Sequence, residues 1–436
     1  MTRHAFLFTH WEGGGNTPPV FALVRRLVAR GHRVHVLSDL CHRAEAEAIG
    51  ASFGAWTGVP ARPDKSAQYD PMRDYEAKSP IDLLGRLRDK MFVGPAGRIA
   101  QDVLDALSRV GADVIVASEM QLGAMAAAES AHVPCVVLSP NIYLLPRPGV
   151  PPFGPGFQPM GGPIGAVRDW MVRTTMIRTF GKGTAQFNAT RHELGLPPVS
   201  HPFDQFKRVT RHLVMTSPAF DFGADALPPG VVYTGPMLDD PDWAEAWQSP
   251  WPATDTRPLV LVGFSTTFQN QVDALQRVIA ALGALPVRAV VTIGPGLGAE
   301  SFPAPSNVHV CASAPHSEIL RQASVTITHA GHGTVMRALA AGVPLVCMPM
   351  GRDQNDNAAR VVARGVGLRL KPTADVAAIQ AAVRTLLDSP AFRANAQALG
   401  RQIVDDARRS QAISLLEEIA ASHVGDAAGT ALRHAQ

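Results

Sequence analysis

Cysteine is scarce in this chain, and the four present, Cys41, Cys135, Cys311 and Cys347, lie far apart. They form no metal-ligand spacing and no disulfide framework, which fits a reducing cytoplasm. Long hydrophobic runs are missing as well, so no integral membrane segment is expected. The apolar run within MTRHAFLFTHWEGGG is too short for a signal peptide and predicts a first strand instead. Neither sign of charge dominates: 40 basic and 37 acidic residues leave +3, too balanced to indicate nucleic-acid binding. A dinucleotide fingerprint is incomplete. Gly13 and Gly15 follow the first strand and Asp39 closes the next, but Pro18 stands where GxGxxG needs its third glycine.

What is present is length and apolar content. With 436 residues, 46% hydrophobic and 18% charged, the chain suffices for two ordinary domains or three. Apolar runs predict strands over 4–9, 33–37, 113–118, 133–139 and 211–216. Phe21, Leu23, Val24, Leu27 and Val28 recur at helical spacing and predict a helix over 20–30. Strand, helix and strand begin a right-handed parallel sheet. Residues 40–100 read as helices and variable loops. A proline-glycine loop over 141–162 follows a strand end and carries Tyr143, Leu144 and Phe153. A loop so long and apolar suits one wall of a binding pocket, or a packed surface. Met171, with Met176, Ile177 and Phe180, makes a stripe that suits an apolar site or the core.

Residues 218–257 have linker composition, with a short strand at 231–233 expected to start a second domain. Strands are then expected over 258–263, 287–293, 308–312, 325–328 and 345–348. Helices are expected over 271–282, from 317, over 374–389 and over 392–418, with a fraying tail beyond 426. The expected division is 1–217, 218–257 as linker and start of the second domain, 258–400, and a last helical segment over 401–425.

The chemistry gathers in one stretch of the second half. After the strand 325–328 comes a polar elbow, His329-Ala330-Gly331-His332-Gly333-Thr334, then a helix from Val335, a strand, and a loop holding Asp353 and Gln354. The first amides of a helix lack intrahelical partners and lie at the positive end of its dipole. Glycines let a ligand reach the backbone, so the elbow suits a phosphate. Asp353 and Gln354 offer a carboxylate and an amide at the same sheet edge, groups suited to sugar hydroxyls.

HAGHGT, AAGVP and the Asp-Gln pair, in this order and spacing, resemble the donor signature of the nucleotide-sugar-dependent glycosyltransferases of GT-B fold. The match is to their bacterial natural-product branch, which includes the macrolide glycosyltransferases. His332 sits where that family usually has Ala, and Ala330 where it often has Gly. The resemblance implies an α/β fold of two Rossmann-like parallel-sheet domains facing across a cleft, with the last helix crossing back to the first domain. It implies acceptor binding on the first domain, including Tyr143, Leu144, Phe153 and Met171. Donor contacts implied on the second are Ser313 and Ala314 at the base, and Ser265 and Thr266 near the β-phosphate. His329, Gly331, Gly333 and Thr334 fall on the phosphates, and Asp353 and Gln354 on the sugar. A UDP- or dTDP-sugar would serve as co-substrate, with inversion and no other cofactor. No Asp-x-Asp metal motif is evident in a donor loop, and the family neutralises the leaving diphosphate with the helix end and His. The implied partners are the nucleotide sugar and a hydrophobic small-molecule acceptor, with a homodimer left open.

The acceptor side departs from the pattern. The family places a general-base His after the first strand, and that position here is Asn16. An amide has no useful basicity. The carboxylate that usually partners this His falls at Glu119 or its neighbour. Three explanations stay open: Glu12, His10 or Glu119 serves as base; the acceptor is acidic enough to need little help; or the chain binds a nucleotide sugar without transferring it, as a partner protein of another enzyme.

Overall fold

The computed structural model describes residues 2–239, 247–264, 269–294 and 302–434, with side chains of the last helix followed through residue 424. The first sheet holds β1 (Ala5–Thr9), β2 (Arg33–Ser38), β3 (Ser52–Ala55), β4 (Val114–Ser118), β5 (Cys135–Ser139), β6 (Arg211–Val214) and β7 (Val231–Tyr233). The second holds β8 (Leu259–Gly263), β9 (Arg288–Thr292), β10 (Val308–Cys311), β11 (Ala323–Thr328), β12 (Leu345–Cys347) and β13 (Gly367–Arg369). Their orders are β3-β2-β1-β4-β5-β6-β7 and β10-β9-β8-β11-β12-β13. Every pairing in both is parallel. The fold is thus two Rossmann-like parallel-sheet domains.

Strands buried on both faces read as continuous apolar runs, which is why β1, β4, β5 and β8 were legible: all of their residues are buried. One face of the first sheet packs Phe6 and Phe8 against Phe21, Leu23, Val24 and Leu27 of the helix Thr17–Ala29. Pro18 and Pro19 sit in that helix's first turn, where no amide hydrogen is required. Ala412, Leu416 and Ala420 of the last helix, Ala412–His434, join the same cluster. The chain therefore returns to the first domain after completing the second. Among the described residues, no helix is long and apolar enough to cross a membrane.

Several expectations are corrected. The strand 231–233 does not start the second domain; it pairs with β6 as the edge of the first sheet. Its three residues announce a strand but carry no mark of their partner. The helix expected from Val335 begins at His332, so HGT is its first turn. The helix expected over 392–418 is two helices, Pro390–Arg408 and Ala412–His434. β3 and β13 went unread because they are short and only partly buried.

The functional consequence is topological. In each sheet the strand order reverses beside its first strand, so the loops after β1 and β4, and after β8 and β11, diverge and open a crevice. Those loops carry Asn16, Glu119 and His329.

Candidate active site

The elbow after β11 is built by local necessity. Ala330 adopts a left-handed φ of 69°, held by its own N–H donating to Thr328 Oγ1 (3.2 Å) and its carbonyl accepting from Asn357 Nδ2 (3.0 Å). Gly331 caps the helix His332–Ala340, and a Cβ there would lie 2.5 Å from His329 Nε2. Glycine leaves room there for the imidazole, which folds over the cap. Burial lowers His329 to about 4, against a hydrogen bond to the Gly263 carbonyl and with help from Arg352. It is a neutral ring at the positive end of a helix, beside the half-buried Gly331, Gly333 and Thr334. His332, the departure from the family pattern, does not enter the elbow. Its Nε2 lies 2.8 Å from Thr216 Oγ1 of the first domain, and burial lowers it to about 3.

The loop that carries Asp353 and Gln354 is stiff. Gln354 is buried, and its Oε1 accepts from the amides of Met350 (2.7 Å) and Gly351 (3.1 Å). Its Nε2 donates to Gln269 Oε1 at 2.7 Å. Here Gln354 braces the loop. Asp353 accepts from Asn357 Nδ2 at 2.7 Å and from the Asn141 side chain of the first domain. Burial raises its carboxyl against these hydrogen bonds. Ser313 is exposed and Ala314 half-buried on the loop after β10. Ser265 and Thr266 lie outside the described residues.

On the first domain, Asn16 is spent on its own turn. Its Oδ1 accepts from Gly13 N–H (3.1 Å) and its Nδ2 donates to the Trp11 carbonyl (3.3 Å). Glu12 and His10 lie beneath that turn, 0% and 1% exposed. Glu12 accepts from His42 Nε2 (2.8 Å) and Gly14 N–H (2.5 Å), with Lys65 at 3.6 Å. Burial would raise this carboxyl, but His42, Lys65 and Gly14 together hold it at about 2. His10 Nε2 lies 3.0 Å from Thr17 Oγ1, and burial followed by the His42 charge pushes His10 well down. Potential ligand atoms of Glu12, Cys41 and His42 lie within 4.8 Å of one another. Yet Lys65 shares the carboxylate, and burial holds the Cys41 thiol protonated up to about 12. That donor set is an ion-pair network and not a cation cradle.

Glu119 is placed differently. It follows β4 at the crevice, and its carboxylate accepts from the Ser139 hydroxyl, itself 2.6 Å from His212 Nε2. Burial pushes Glu119 up to about 8, opposed by Ser139 and reinforced by the charge of Asp353. First-domain Glu119 and second-domain Asp353 thus share one electrostatic environment.

The 141–162 loop lies against the second domain. Gly154 N–H donates to Asp356 Oδ2 at 2.7 Å, and Gly156, at φ 68°, comes so close that a Cβ would meet the Asn355 carbonyl at 2.3 Å. Tyr143, Leu144 and Phe153 line a narrow cavity closed by Asp356 and Arg360. Met171 stands elsewhere, 52% exposed beside exposed Val167 and Trp170 on the helix Gly162–Gly181. Sequence reasoning missed Asn141, Arg352 and His42. The available signal was position: Asn141 and Arg352 each lie within two residues of a strand end or ligand-type acid at the crevice.

Two parallel-sheet domains, with a phosphate-type elbow on one and a carboxyl at the crevice on the other, have the GT-B architecture. Comparison with known proteins agrees. Residues 276–419 match the family model described as erythromycin biosynthesis protein CIII-like, C-terminal domain. The chain is 29% identical over 422 residues to 4'-demethylrebeccamycin synthase of Lentzea aerocolonigenes, covering 93% of this chain and 97% of that protein. It is 27% identical over 417 residues to oleandomycin glycosyltransferase of Streptomyces antibioticus, covering 94% and 89%. A crystal structure of the glycotransferase of kitacinnamycin superposes with a TM-score of 0.76 at 23% identity, over 96% of this chain and 100% of that one. Over nearly its whole length the chain is similar to glycosyltransferases of bacterial natural-product biosynthesis, and its fold is GT-B. It is an enzyme of the transferase class.

Proposed function

We propose that this enzyme moves a hexose or deoxyhexose from a UDP- or dTDP-sugar to an apolar, natural-product-like acceptor, with inversion and without a metal ion. The observation that carries the proposal is the crevice itself, where the helix 332–340 opens on the second domain, Glu119 follows β4 of the first, and first-domain Asn141 is hydrogen-bonded to second-domain Asp353. In this reading the helix 332–340 and His329 receive the diphosphate, and Asp353 holds the sugar. The acceptor oxygen attacks the anomeric carbon as the diphosphate leaves, and its proton passes to the Glu119 carboxylate. A carboxyl raised to about 8 is a stronger base than an ordinary one but is ionised in only a minor fraction at neutral pH. Transfer should therefore rise with pH through that value.

Glu12 and His10 are assigned to holding the Asn16 turn, since Glu12 is taken up by His42, Gly14 and Lys65 and His10 by Thr17. The acceptor approaches along the 141–162 loop and the exposed apolar side chains Val167, Trp170 and Met171 of the helix 162–181. A cytoplasmic location accords with four free thiols. The test is a transfer screen with UDP- and dTDP-hexoses against macrolide and aromatic polyketide acceptors, reading released diphosphate and glycosylated product together. Product with at least one pair is expected. Tight diphosphate binding with no product from any pair would overturn the proposal and leave a binding protein.

A further inference from the structure

We infer that Arg352 is a positioning residue that couples the sugar loop of the second domain to the glycine turn of the first, so that transfer proceeds from the closed pair of domains. This rests on the glycosyl transfer proposed above. Arg352 Nε donates to Asp74 Oδ2 at 2.9 Å, and its Nη2 to Asp74 Oδ1 and Asp70 Oδ2, each at 3.1 Å. Its Nη1 donates to the Gly13 carbonyl at 3.2 Å. Asp70, Asp74 and Gly13 all belong to the first domain. The guanidinium is 19% exposed, and the two carboxylates 3% and 6%.

The fork-to-carboxylate geometry is the strong form of this contact. Parting the domains would break all four hydrogen bonds at once. Arg352 itself has a φ of 54°, a left-handed conformation that a non-glycine residue keeps only when its surroundings hold it there. Both ends of the link are rigid. On one side Gly351 is pinned by Gln354, and Asp353 is the next residue. On the other, Gly13 N–H is bonded to Asn16, and Gly14 N–H to Glu12. A single side chain thus ties the residue placed on the sugar to the turn placed at the acceptor.

The test compares full-length wild type with Arg352→Ala, Arg352→Lys, Asp74→Asn and the Arg352→Ala/Asp74→Asn double variant. Each is measured for UDP and dTDP affinity, for kcat and KM of transfer, and for radius of gyration by small-angle scattering with diphosphate bound. Arg352→Ala should lose about thirtyfold in kcat while diphosphate affinity stays within about twofold, since misplacement and not donor binding is altered. Arg352→Lys should fall between, keeping the charge without the fork. The double variant should be no worse than Arg352→Ala, and both should be more expanded than wild type. Unchanged kcat, an additive double variant, or a kcat loss matched by lost diphosphate affinity would each overturn the coupling. If Arg352→Ala does not fold, Asp74→Asn cuts the same link from the other side. If wild type transfers to no acceptor, the functional reading fails by itself. The scattering still decides the coupling, which unchanged compactness in Arg352→Ala would overturn.

Discussion

His42 Nε2 donates to Glu12 Oε2 across 2.8 Å, and neither side chain is exposed at all. A sealed pair of this kind holds structure, because each member needs the other to stay buried. Glu12→Gln is therefore expected to lower stability by about 3 kcal/mol in denaturant unfolding, with kcat of the folded fraction close to wild type. A collapse in kcat without a loss of stability would return Glu12 to the chemistry.

Glu119 makes stability fall with rising pH. Burial raises its carboxyl from 4.5 to about 8, so the folded protein keeps a proton that the unfolded chain releases between those values. Its contribution is complete below 4.5 and lost as pH rises to about 8. His329 acts in the opposite sense: lowered from 6.5 to about 4, it contributes fully above 6.5 and loses that contribution as pH falls through 4. Thermal unfolding of Glu119→Gln between pH 5 and 8, both about the limits of that window, should show a flatter decline than wild type. An unchanged slope would mean that Glu119 is not held protonated.

His329 faces the elbow as a neutral ring. A diphosphate there would stabilise its protonated form, so UDP and dTDP should bind more tightly as pH falls toward about 4. His329→Ala should weaken binding about tenfold, the effect of losing a hydrogen bond to a charged group, and should abolish that pH dependence. Calorimetry across pH reads both. Equal affinity in the variant would place the diphosphate elsewhere.

The central strands and the elbow were legible because burial on both faces forces apolar runs, and close approach forces glycine at Gly331. Less legible was anything decided by a partner distant in sequence. The three residues of β7 announce a strand but not the sheet they join. Arg352 looks like a solvated loop charge until Asp70 and Asp74 meet it across the chain. Gln354 looks like a sugar ligand, yet its amide is occupied by Met350, Gly351 and Gln269. The choice among His10, Glu12 and Glu119 needed their partners, which no spacing reveals: all three are buried, but two are taken up beneath the Asn16 turn, while Glu119 follows β4 at the crevice.

The most direct test is the pH–rate profile of sugar transfer in wild type and Glu119→Gln, with diphosphate affinity measured alongside. Wild-type kcat is expected to climb through pH of about 8 as Glu119 ionises. Glu119→Gln should lose about 10²–10⁴-fold in kcat, the usual contribution of a general base, while UDP and dTDP affinity stays within about twofold. A Glu119→Gln enzyme with wild-type kcat and an unaltered profile would contradict the assignment.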